Sequence, residues 1–151
     1  MLHKQLKALL LVSFVSLASS FTASDGGEVF EIYLNNKLLV RQHITGSFSL
    51  QNLNLTEANA NDKLVIYYNH CGMPGKARTI AIKDAAGNIL RKYSFGDGAN
   101  LKDGMTIPVK ELLTLEKNHK GAQLAIHYTA KELPKGLTLS AVKFNDKTVK
   151  S

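Results

Sequence analysis

Short runs of alternating apolar and polar side chains, each stopped by glycine, proline, asparagine or aspartate, limit this chain to strands more tightly than any other feature. The clearest run is 63–69, where Leu64, Ile66 and Tyr68 alternate with Val65, Tyr67 and Asn69. Branched and aromatic residues at period two suit a pleated, half-buried surface. Both faces of the run are apolar, which predicts a central strand covered on both sides. Gly72, Pro74 and Gly75 then break the pattern into a loop over 70–76. A second strand follows with Ile80 and Ile82 on one face. Asp84-Ala85-Ala86-Gly87 has the side-chain acceptor and the glycine of a tight turn, so a hairpin returning along 88–95 is expected.

The same pattern recurs on both sides of this stretch. Phe30, Ile32 and Leu34 alternate with Glu31 and Tyr33, and Asn35-Asn36 can take the left-handed conformations of a two-residue hairpin turn before Leu38 and Val40. A third strand runs through Phe48 and Leu50, as far as Leu55. Residues 96–104 form the longest polar loop. Val109, Leu112 and Leu113 have helical spacing after Pro108, which predicts a short strand running into one helical turn. Leu124, Ile126 and Tyr128 mark another strand. The last strand carries Leu137, Leu139 and Ala141, then changes parity at Val142 and Phe144, which predicts a bulge.

Eight or nine short strands without a long amphipathic helix predict an all-β antiparallel β-sandwich. An immunoglobulin-like Greek key is the favoured arrangement, although the chain has no tryptophan and no cysteine pair to bridge the sheets. A lipocalin-like or jelly-roll barrel is the alternative, because strand count does not separate them.

At 151 residues and 44% hydrophobic composition, the chain has room for one domain with a sizeable core. Lys4 and Lys7 precede the apolar run from Ala8 to Leu17, and small residues follow it. That order predicts an export signal over residues 1–20, cut near 18–24, and hence a periplasmic or extracellular protein with no later membrane-crossing segment. Residues 25–145 then form the single sandwich domain and 146–151 a flexible tail. Loss of Lys4 and Lys7 lowers the net charge from +7 to +5. The remaining lysines are dispersed from Lys37 to Lys150, which speaks against a nucleic-acid surface and leaves a protein or an envelope polysaccharide as the expected partner.

The densest group of possible metal ligands is His70-Cys71-Gly72-Met73. Imidazole, thiolate and thioether together favour a soft ion, so a copper site or redox centre using His70, Cys71 and Met73 is one alternative function. The loop resembles that of blue-copper proteins in offering His, Cys and Met on a sandwich loop, but departs from them in placing the His directly before the Cys. Neighbours on an extended chain face opposite ways, so His70 and Cys71 need a bend to share an ion. Cys71 is the single cysteine, and a monomer or a Cys71-linked dimer is expected. Asp97, Asn100 and Asp103 bring oxygens into one loop without the spacing of an EF-hand. No nucleophile elbow, zinc-binding His-Glu-x-x-His helix or close acid pair occurs. The leading expectation is therefore a non-enzymatic exported binding or accessory module. A small-ligand carrier barrel is the second alternative.

Overall fold

The computed structural model describes residues 27–145; the expected signal over 1–20, its cleavage region and the tail 146–151 lie outside the described residues. Among the described residues, ten strands and one α-helix follow one another in the order β1 (Glu28–Leu34), β2 (Lys37–Ile44), β3 (Gln51–Leu55), a 3-10 turn (Glu57–Asn59), β4 (Lys63–His70), β5 (Met73–Pro74), β6 (Arg78–Lys83), β7 (Ile89–Gly96), β8 (Met105–Pro108), α1 (Val109–Asn118), β9 (Leu124–Ala130) and β10 (Leu133–Phe144). One sheet has the order β2-β1-β4, with the two-residue β5 and the longer β8 both on the far side of β4, at opposite ends of it. The other has the order β3-β10-β9-β6-β7.

Period-two alternation sets which side chains meet between the layers. Phe30 and Ile32 of β1 and Leu64, Ile66 and Tyr68 of β4 face Ile80 and Ile82 of β6, Leu124, Ile126 and Tyr128 of β9 and Leu139 of β10, all within one buried cluster. The Asn35-Asn36 hairpin forms as expected, with Asn35 at φ 53° and its side chain receiving the Lys63 amide while donating to Asp62. The hairpin at 84–87 forms as well. The Asp84 carboxylate accepts the amides of Ala86 and Asn88, and Gly87 takes φ 85°.

Several details differ from the expectations. A closed lipocalin-like barrel is not formed, because each sheet ends in unpaired edges: β2 in the first, β3 and β7 in the second. The strand count rises to ten through β5. The expected single helical turn is a ten-residue helix, in which buried Val109, Leu112, Leu113 and Leu115 make a stripe against the core. Contacts at both ends hold it: the Tyr93 hydroxyl donates to Glu111, and Lys117 pairs with Glu57. β3 joins β10 in a parallel pairing, with Gln51 opposite Ser140 and Leu55 opposite Phe144, inside an otherwise antiparallel sheet. The irregularity foreseen near Val142 lies earlier, between Thr138 and Ser140, so that Leu139 through Val142 are all buried.

β4 is central, as expected, but it is not covered on both sides. Its inward residues are buried, whereas Val65, Tyr67 and Asn69 on the outer side are only half-buried. That open outer face is where the candidate site lies.

Candidate binding groove

Three rows of side chains cross the outer face of the first sheet. Register places His43, Val29 and Asn69 in one row, Arg41, Glu31 and Tyr67 in the next, and Tyr33 beside Val65 in the third. Such neighbours across a sheet are close enough to interact directly or along the diagonal. Tyr33 and Tyr67 meet on the diagonal, ring centroids 5.6 Å apart and planes at 85°, so one ring presents its edge to the face of the other. Glu31 lies between the tyrosines and β2. One carboxylate oxygen accepts the Tyr33 hydroxyl at 2.9 Å, and the other accepts the Arg41 Nε at 2.6 Å. The Tyr33 hydroxyl is thereby held above its ordinary pKa, first by this bond to the carboxylate.

A loop supplies the opposite wall. Residues 97–104 arch over the sheet so that Leu101 and Lys102 stand against Tyr33, Tyr67 and the hairpin residues Asn35 and Asn36, enclosing a groove of about 490 Å³. That volume lies within the range of small-molecule sites. Arg78 fixes the loop from beneath. It is 5% exposed, and its guanidinium donates to the Gly96 and Asp103 carbonyl oxygens and to the Asp103 carboxylate. Asp103 also accepts the Ala99 amide, Asp97 accepts the Ala77 amide, and the Gly98 amide bonds the Gly75 carbonyl. Gly104 permits the close approach, since a Cβ there would stand 2.6 Å from Val65 and 3.0 Å from Tyr67. The loop oxygens of Asp97, Asn100 and Asp103 thus serve to shape the wall.

The residues singled out in the sequence as metal ligands lie on the other side of β4 or in solvent. His70 turns inward and is 7% exposed. Its Nδ1 is 3.1 Å from Glu28 and its Nε2 is 2.9 Å from the Tyr128 hydroxyl. A carboxylate only accepts, so in the neutral ring Nδ1–H donates to Glu28 and Nε2 accepts from Tyr128. The Tyr68 hydroxyl donates to the second Glu28 oxygen, and the Tyr68 and Tyr128 rings stack at 4.4 Å. Burial pushes both tyrosine hydroxyls well above their ordinary pKa, so they remain donors. Cys71, at φ 54°, and Met73 are exposed at the turn that follows. β4 ends with His70 facing the core, and the turn that follows carries Cys71 into solvent, which separates the two side chains. Among the described residues, no group of three or more His, Cys, Asp and Glu side chains is placed to hold a metal ion. The same residues include no helix long and apolar enough to cross a membrane.

Sequence reasoning missed the groove, although its signal was present in the outward parity of Tyr33, Val65 and Tyr67. Val65 and Tyr67 pointed to a second covering layer over β4, whereas the loop covers only part of them. No protein-family model matches the chain, and no curated protein matches it either.

Proposed function

We propose that the chain is an exported, non-enzymatic binding module of immunoglobulin-like Greek-key architecture, and that its ligand occupies the groove between Tyr33, Tyr67 and the 97–104 loop. One observation carries the binding role: two aromatic rings and a carboxylate lie in an open groove whose far wall is fastened by a buried arginine. A fastened wall reduces the ordering that a ligand must pay for on binding. Support for the architecture comes from the order β10-β9-β6-β7, which can be laid on the G-F-C-C′ order of a variable-type sheet, with β4 and β8 as B and E. In that alignment the β1–β2 hairpin is an addition beside B, and the groove is built on the addition.

The test is co-sedimentation of the mature protein with insoluble envelope material from the cells that produce it. The wild type and Lys92→Ala, altered at an exposed position on β7, are expected in the pellet, and Tyr67→Ala in the supernatant. Equal pelleting of all three, or of none, would remove the groove from the function.

A further inference from the structure

Resting on that reading of the groove, we propose that its occupant is a hydroxyl-rich saccharide, lying against the tyrosines and bonded to the polar groups around them. Hydrogen-bond roles are what point to this class. A carboxylate can only accept, yet Glu31 stands in the groove lining with more acceptor capacity than one tyrosine and one arginine consume. It can receive O–H or N–H donors from a ligand. The flanking groups are amphoteric: Asn36 carries an amide with both donors and an acceptor, Asn69 offers its amide donors while its Oδ1 accepts the Gly72 amide, and Tyr67 offers a hydroxyl. Sugar hydroxyls both give and take hydrogen bonds, so they match amides and carboxylate together.

The apolar surfaces fit the same class. The C–H faces of a pyranose are flat and weakly positive, and they suit the electron-rich face of an aromatic ring. Tyr33 and Tyr67 stand at 85° to each other, so a sugar on one ring face would be bordered by the other ring. Leu101, on the loop, is 42% exposed above them and supplies a second apolar contact. Charge is consistent as well. Glu31 is neutralised by Arg41, and Lys102 at the rim adds a single cation, too little to demand a polyanion.

A proline-rich peptide is the other ligand that aromatic-lined grooves commonly take. It offers carbonyl acceptors and few donors, and would not use the acceptor capacity that Glu31 keeps beyond its bonds to Tyr33 and Arg41.

Affinity electrophoresis in native gels containing soluble starch, β-1,3-glucan, xylan or galactomannan separates the two, with fluorescent decaproline as the peptide probe in solution. Wild type and Lys92→Ala are expected to be retarded by at least one polysaccharide. Tyr67→Ala should weaken that retardation at least tenfold, and Glu31→Gln and Leu101→Ala about threefold to tenfold. Leu101 is exposed, so its variant keeps the test valid if Tyr67→Ala folds poorly. No retardation in any gel, or retardation untouched by all three variants, overturns the saccharide assignment. Decaproline binding that depends on Tyr67, without any retardation, overturns the saccharide while the groove itself stands. Tyr67-independent pelleting with envelope material would instead overturn the groove.

Discussion

At Gly75 a single missing methyl group keeps the interior polar cluster intact. A Cβ there would run into the Tyr128 hydroxyl and approach His70 Nε2 to 3.0 Å. Gly75→Ala is therefore expected to lower stability by about 1–3 kcal/mol, read as a shift in the urea midpoint without a change in slope. Tyr128→Phe removes the partner of His70 Nε2 without changing packing volume. It should cost about 1–3 kcal/mol for an unsatisfied buried nitrogen, and a double variant with His70→Leu should recover part of that loss. His70 was noticed in the sequence for its neighbours Cys71 and Met73, but its chemistry is set by Glu28 and Tyr128, 42 and 58 residues away. No spacing rule links those positions. His127 makes a pH-dependent contribution of its own. Desolvation, then the nearby Lys83 charge, lowers its pKa below the ordinary 6.5. Between the folded and unfolded values the unfolded chain binds more protons, so this contribution is complete above about pH 6.5 and is lost as pH falls. The urea midpoint should accordingly drop from pH 7.5 to pH 6, and the drop should shrink in His127→Gln.

Among the elements, the 97–104 loop was the least readable and matters most for the site. Its sequence, rich in glycine and polar residues, is that of an ordinary solvated loop. Its order comes from Arg78 on β6, whose side chain reaches the Gly96 carbonyl at the end of β7 and, in the loop, the Asp103 carbonyl and carboxylate. A charge-assisted bond of this kind is worth about 1.5–3 kcal/mol, and the three made by one guanidinium share a side chain and do not add. Arg78→Met should therefore destabilise the protein by about 2–3 kcal/mol and speed hydrogen exchange at the Ala99 and Gly98 amides, while β9 amides stay protected. Groove binding should fall in the same variant even though Arg78 lies beneath the groove wall. The strands themselves were easier to anticipate. β1, β2, β4, β6, β7 and β9 follow from parity and from turn residues such as Asn35 and Gly87, because both signals are local. α1 exceeds the single turn expected because its apolar stripe ends at Leu115, while the ten-residue helix runs on to Asn118 and is held by Glu57 and Tyr93 from other elements.

For the whole molecule, alternation decided that two layers would enclose one core, and it left open how the strands are ordered within each layer. Each sheet could be built in several orders with the same buried faces, so the order had to come from long-range pairing. Cys71 bears on the molecule's assembly, since it is exposed and is the single cysteine of the chain. Under air, copies are expected to join through Cys71, giving a band of doubled mass on non-reducing electrophoresis that Cys71→Ser abolishes. The union of β3 with β10 has a different consequence. Residues 51–55 leave the ribosome long before residues 140–144, so one rim of the second layer stays bare until β10 has emerged. A shortened chain ending before Ser140 would keep that rim naked for good, inviting strands of other copies to dock there and aggregate instead of maturing.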